Sequence, residues 1–247
     1  MSAPDAAAAP SALVIGGGGG IGGVVSRRLA ADHAVAVGYR DRADRAEQVA
    51  AAIADAGGTA KTVGADVRTA EGVAAAFDAA EALGPLRTVV HCAGAWDFTR
   101  VTELTGDGLD EDYRTNLRSA LLTLAAAGNR VGDGGRIVLL SSAAAYLAPG
   151  RQVSYAAMKA GLEAGARAAS KELGKRQVTV NVVRPGSTDT ERLRASTAER
   201  AIESMSAAPA LKRLGTPDDI ADVVEFLASE KSRWVTGAVL DATGGLW

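Results

Sequence analysis

Five consecutive glycines, Gly16 to Gly20, followed by Ile21, Gly22 and Gly23, constrain this chain more than any other stretch. An apolar run, Ala12-Leu13-Val14-Ile15, leads into them, and Val24, Val25 and Leu29 follow at helical spacing. A strand, a glycine turn and a helix in that order aim a helix N-terminus at a phosphate group. Glycine tolerates positive φ and lets the backbone approach a pyrophosphate closely. A flexible linker would not be bracketed so tightly by regular elements.

Strand-like apolar runs continue through the chain, over residues 34–39, 60–63, 88–91, 136–140, 178–183 and 238–241. Alanine-rich helical stretches alternate with them, over 43–56, 70–83, 153–173 and 217–228. Thr216, Pro217 and Asp219 form a strong start signal for the last of these helices. Such alternation predicts an α/β fold: one Rossmann-type doubly wound domain over residues 11–247, with a seven-stranded parallel sheet flanked by helices on both faces. Ligands are then expected beyond the carboxyl ends of the strands. Residues 1–10 are alanine-rich, include Asp5 and lack a cationic start, so a disordered tail rather than a secretory signal is expected.

Chemistry is suggested by Ser142 at the end of an apolar strand, with Tyr155 and Lys159 four residues apart on one helical face. A phenol titrates near pH ~10 and needs help to move protons at neutral pH. An ammonium beside it is expected to lower its pKa, and a serine hydroxyl can hydrogen-bond the same substrate oxygen. The second strand ends in Tyr39 and Arg40, and an arginine there suits a ribose 2′-phosphate. NADP(H) is therefore expected in preference to NAD(H). The competing reading has Asp41 take the ribose and leaves Arg40 at the surface.

On these residues the chain resembles the short-chain dehydrogenase/reductase superfamily, especially its 3-oxoacyl-(acyl-carrier-protein) reductase-like ketoreductases. Gly16, Gly20 and Gly22 match its glycine motif, Asp66 its acidic adenine contact, Asn116 its helix asparagine, and Pro185, Gly186 and Thr190 its later loop. Val235-Thr236-Gly237 and Gly244-Gly245 also fit. Ile15 replaces the usual threonine and Cys92 the usual asparagine, and both are expected to pack in place of hydrogen-bonding. The resemblance implies that Tyr155 is the proton donor in reduction, that Lys159 tunes it and binds the nicotinamide ribose, that Ser142 steadies the substrate oxygen, and that Asn116 holds a relay water. It further implies a cofactor site made of Gly16, Gly20, Ile21, Gly22, Tyr39, Arg40, Asp66, Val67, Ala93, Gly94, Tyr155, Lys159, Pro185, Gly186, Thr188 and Thr190. A substrate lid is implied near 190–213, and a homotetramer formed through the helices after Asn116 and Tyr155. The small residues Ala157, Ala160, Gly161, Ala164 and Ala168 are expected to let neighbouring helices approach.

Trp96, Ser142, Tyr146, Tyr155 and Met205 are expected to border the substrate. The aromatic members point to a bulky or cyclic carbonyl, beside the β-ketoacyl thioester that the resemblance suggests. An oxidative secondary-alcohol dehydrogenase and a nucleotide-sensing protein without turnover stand as the alternatives. A net charge of −2 with no basic run gives no case for nucleic acid or an anionic membrane as partner. No apolar stretch approaches the ~20 residues of a membrane span. The single cysteine suits a cytoplasmic setting, and the two histidines, His33 and His91, are too far apart in sequence to suggest a metal site. His91 reads as structural. Arg130, Arg136, Arg167, Lys171 and Arg176 suggest, loosely, a carrier-protein docking patch.

Overall fold

The structure is a computed structural model and describes residues 9–96 and 98–247. Seven strands, β1 (Ser11–Ile15), β2 (Ala34–Tyr39), β3 (Ala60–Gly64), β4 (Leu86–His91), β5 (Arg136–Leu140), β6 (Thr179–Pro185) and β7 (Val239–Ala242), form one sheet in the order 3-2-1-4-5-6-7. Every pairing is parallel. The helices that matter for the site are α1 (Gly20–Leu29), α2 (Ala43–Asp55), α3 (Ala70–Glu81), α4 (Gly106–Tyr113), α5 (Ser119–Arg130), α6 (Ala144–Leu147), α7 (Val153–Leu173), α8 (Glu191–Ser196), α9 (Glu199–Ala207) and α10 (Pro217–Ala228).

The strands are continuously apolar because both faces are covered. Leu13, Ile15, Val89, Ile137, Leu139, Val180 and Val182 pack on one side with Phe77 of α3, Leu124 of α5 and Leu162 of α7. Ala12, Val14, Val90, Val138, Leu140 and Val183 pack on the other with Val24, Val25, Val49, Ile220 and Val224 of α1, α2 and α10. Successive strand residues thus serve opposite layers, as a period of two requires. Fully burying each large apolar side chain contributes roughly 1.5–3 kcal/mol. Ile15 lies in the first layer and Cys92 packs against the second, so both departures from the family pattern fill apolar space. At α10 the expected start signal is a capping box: the Thr216 hydroxyl accepts from the Asp219 N–H at 3.2 Å, and the Asp219 carboxylate accepts from the Thr216 N–H at 2.6 Å.

Two boundaries differ from expectation. The expected tail lies outside the described residues as far as position 8, but the carbonyl of Pro10 already accepts from Ala34 at 2.9 Å, so the sheet begins to grip the chain before residue 11. Residues 106–130 form α4 and α5 joined by a π-helical turn, Arg114–Arg118. Glycines and acidic residues dilute the apolar pattern of α4, which hides the helix in the sequence.

The strand order reverses between β1 and β4, and the crevice beyond their carboxyl ends is where such a sheet binds ligands. Gly16 turns the chain out of β1 with φ +76°, and a Cβ on it would stand 3.0 Å from the Ala93 nitrogen. At Gly22 a Cβ would lie 2.2 Å from the Gly16 oxygen, so the turn and α1 can close only with glycine there.

Candidate active site

A cleft of about 790 Å³ runs along this crevice. Gly16, Gly20, Ile21, Gly22, Tyr39, Arg40, Asp66, Val67, Ala93, Gly94, Trp96 and Thr190 line it. Its size suits a large ligand. The first turn of α1 receives no side-chain cap, which leaves its N–H groups facing the glycine turn as an anion cradle. Glycine turn, uncapped helix and elongated cleft together fit a dinucleotide.

Beyond β2 the cleft wall is crowded with exposed charge. Arg40 donates to Asp41 at 2.5 Å, Arg42 to Asp44 at 2.9 Å, and Arg45 to Glu191 of α8 at 2.5 Å. All six of these residues except Asp44 line the cleft. Asp66 is held by Arg68, whose Nη2 donates at 2.7 Å, and Arg68 also reaches Glu111 at 2.7 Å. The Arg68 guanidinium keeps the Asp66 carboxyl below its usual range. Arg42, Arg45, Arg68 and Glu111 were not among the residues that sequence reasoning singled out. Arg42 and Arg45 carried a signal, since both follow the same strand end as Arg40 within one helical turn or two.

The other end of the site is buried. Lys159 is 3% exposed, and its ammonium donates to the Leu140 carbonyl at 2.9 Å, 5.9 Å from the centre of the Tyr155 ring. Burial pushes its pKa down to about 8, against the opposing pull of Cys92 and Glu163. The Ser142 oxygen accepts from the Ala144 N–H at 3.2 Å, and the hydroxyl is near enough to the Tyr155 phenol to pull its pKa down. Here one expectation is corrected. The Tyr155 pKa is raised rather than lowered, because burial disfavours the phenolate more than its neighbours favour it. The groups that pull it back are Ser142 and then Arg192, while the Lys159 ammonium is spent on the Leu140 carbonyl.

Asn116 sits within the π turn and is fully buried. Its Oδ1 accepts from the Ala95 N–H at 2.9 Å, and its Nδ2 has no hydrogen-bond partner among the described residues. A π turn inside a helix offers an extra residue for such a contact, and buried unpaired amides are costly. Gly94 connects the two ends of the site. A Cβ there would stand 3.1 Å from Lys159 Nζ and 3.2 Å from Asn116 Oδ1. Asn116, Lys159 and the cleft wall therefore meet at this one residue.

Several expected residues lie elsewhere. Ser142, Tyr155, Lys159, Pro185, Gly186 and Thr188 do not line the main cleft. Thr188 is buried and donates to the Gly186 carbonyl at 3.1 Å, and the Gly186 N–H donates to Ala242 at 3.0 Å, so both brace the loop after β6. Of the substrate candidates, Trp96 lines the cleft and carries Arg192 over its ring at 4.4 Å. Tyr146 does not: it is exposed and stacks on Trp247 with ring centres 4.8 Å apart. Its αL-terminated helix α6 turns it toward the chain's last residue instead. Met205, on α9, is also off the cleft. Gly161 serves the chain's own packing, since a Cβ there would meet Leu117 at 3.2 Å. His91 is buried between Thr123 at 3.1 Å and Ser119 at 3.4 Å, which supports its structural reading, and burial pushes its pKa down to about 3.

A family described as enoyl-(acyl carrier protein) reductase matches residues 16–247. An oxidoreductase of Methylorubrum extorquens is 37% identical over 230 residues, covering 92% of this chain and 93% of its own. The chain belongs to the short-chain dehydrogenase/reductase family. A dehydrogenase/reductase from Sinorhizobium meliloti superposes with TM-score 0.92 at 38% identity, covering 97% of this chain and 95% of its own. The angucycline C-6 ketoreductase LanV with bound NADP superposes with TM-score 0.90 at 34% identity, covering 96% and 95%. Membership makes this chain an oxidoreductase with the family's dinucleotide chemistry, and the expected fold agrees with all of these relatives.

Proposed function

We propose that this oxidoreductase uses NADPH to reduce a bulky, cyclic ketone to a secondary alcohol, with Tyr155 as the proton donor. The observation that carries the reading is Tyr155 beside Ser142 and a buried Lys159, whose ammonium lies against Gly94 of the glycine-walled cleft. The cofactor, when bound, supplies the hydride. Everything else falls to the chain. Tyr155, its phenol kept protonated by burial, gives its proton to the carbonyl oxygen as charge develops there. The Ser142 hydroxyl supports the same oxygen. Lys159 and Asn116 lead from this phenol toward Gly94, a route along which the proton can be replaced.

The arginines beyond β2 support the choice of NADPH, because Arg40, Arg42 and Arg45 offer donors that a 2′-phosphate would draw from their exposed carboxylate partners. LanV, similar in structure, holds NADP. Trp96 at the cleft and the similarity to the angucycline C-6 ketoreductase LanV favour a bulky ring ketone. A carrier-bound thioester has less support. Arg130 pairs with Asp78 and Glu81, Arg136 with Glu230, and Arg176 with Asp133, which leaves little of the expected docking patch.

Assembly is part of the same reading. Ala157, Ala164 and Ala168 on α7 face outward beside exposed Leu109, Tyr113, Leu121 and Val153, an apolar face suited to subunit contact. Sedimentation as a tetramer is the expected result, and a monomer at micromolar concentration contradicts it. For activity, NADPH consumption is followed against a bicyclic ketone, an aryl ketone, a β-ketoester and a β-ketoacyl thioester. Preference for the cyclic substrates supports the reading; turnover confined to the thioester refutes the substrate class.

A further inference from the structure

Behind the site lies a buried ionic chain that the reaction as described does not use. Glu163 is one turn beyond Lys159 on α7 and is 4% exposed. Arg184 of β6 holds its carboxylate with two parallel hydrogen bonds, Nε to Oε1 at 2.9 Å and Nη2 to Oε2 at 2.7 Å. The third donor of Arg184, Nη1, reaches Asp241 of β7 at 2.6 Å. Ser141, the residue before Ser142, donates to Glu163 Oε1 at 2.7 Å. Tyr146 and Trp247 stack over the guanidinium, 5.5 and 5.9 Å from its carbon to their ring centres.

The network joins α7, β6, β7 and the end of β5 at the level of the reacting groups. The Ser141 N–H is also strapped to Val183 and the Ala143 N–H to Pro185, each at 2.8 Å, so the strand end that carries Ser142 is fixed on both sides of it. A bidentate arginine–carboxylate pair fixes angle as well as distance. Burying two charges is costly unless something is gained by it, and apolar residues of like size often replace such a pair without loss of stability.

We propose that Glu163, oriented by Arg184, is a positioning residue: it locks the Ser142 strand end to the helix of Tyr155 and Lys159, and its carboxylate keeps the Lys159 ammonium charged in a dry site. The inference rests on the proposed function for its catalytic meaning, though not for its test. The charged and titratable groups around Lys159 are Tyr155 and Glu163 on its own helix, His91 and Cys92 at the end of β4, and Arg184 beyond Glu163. His91 is held neutral and Cys92, pushed up to about 12 by burial, is a neutral thiol. Among the described residues, Glu163 is thus the carboxylate that acts on Lys159, one helical turn away.

The test is an NMR titration of the whole protein labelled with 13C at lysine Cε, with the Lys159 signal assigned by Lys159→Arg. Wild type is expected to titrate near 8. In Glu163→Gln the midpoint is expected to fall by about half a pH unit or more, because the ammonium loses its carboxylate. If that variant does not fold, Glu163→Met with Arg184→Met removes the pair together, and a smaller fall in the same direction is expected. A midpoint unmoved in the folded variant, whatever the loss in melting temperature, overturns the proposal and leaves Glu163 a structural residue only. Tyr155→Phe separates the two readings: if it remains active, the proposed function fails, whereas a fixed Lys159 midpoint defeats the present inference alone.

Discussion

The two ends of the site are built from opposite materials. At the end beyond β2, Arg40, Asp41, Arg42 and Asp44 are exposed and paired mostly with close neighbours in sequence. At the inner end, Asn116 and Lys159 are buried and held by backbone carbonyl and amide groups from other elements. Exposed ion pairs contribute little to stability, about 0–1 kcal/mol each, so their partners can be exchanged for a ligand's phosphate at small cost. Burial brings the Lys159 ammonium down to about 8, within reach of neutral pH. One end is therefore suited to binding and the other to chemistry, and changes at the two ends should be separable.

The largest effect is expected at the buried end. Tyr155→Phe removes the proton donor and should lower kcat by roughly 10²–10⁴, the usual range for a lost general acid. Initial rates of ketone reduction check this. At the exposed end, Arg40→Ala should raise KM for NADPH by roughly tenfold, as expected for a lost charge-assisted hydrogen bond, and leave KM for NADH nearly unchanged. Equal changes for both cofactors would erase the contrast. The pH dependence sharpens it further. Reduction needs Tyr155 protonated, and its raised pKa keeps it so through neutral pH. The fall in kcat on the alkaline side should then begin near 8, where Lys159 loses its proton. In the oxidative direction, which needs the phenolate, rates should instead rise with pH. The smallest effect belongs to salt. Raising ionic strength from 0.05 to 0.5 M should weaken NADPH binding several-fold while kcat at saturation holds, since screening reaches the exposed arginines and not the buried lysine.

Much of this contrast was legible in the sequence, and unequally so. Glycine turns, apolar runs and the Tyr155–Lys159 spacing are local signals, and they led to the right sheet and the right strand ends. The sign of the Tyr155 shift was not legible. Spacing reports that Lys159 shares a face with Tyr155, but only the fold shows that Leu140 takes the ammonium. Tyr146 was misplaced for a similar reason: it follows Ser142 closely, yet Trp247, a hundred residues further on, captures its ring. Arg68 and Arg184 escaped notice because their meaning depends on carboxylates brought to them by folding.

The account turns on whether binding and chemistry part company at the two ends. The most direct measurement is the Kd for NADPH by fluorescence titration, together with kcat on a bicyclic ketone, for Tyr155→Phe and Arg40→Ala side by side. The account predicts a Kd within about twofold of wild type and a kcat reduced at least a hundredfold for Tyr155→Phe, with the reverse pattern for Arg40→Ala. Substantial turnover by Tyr155→Phe, or a Kd that moves as far in that variant as in Arg40→Ala, would contradict it.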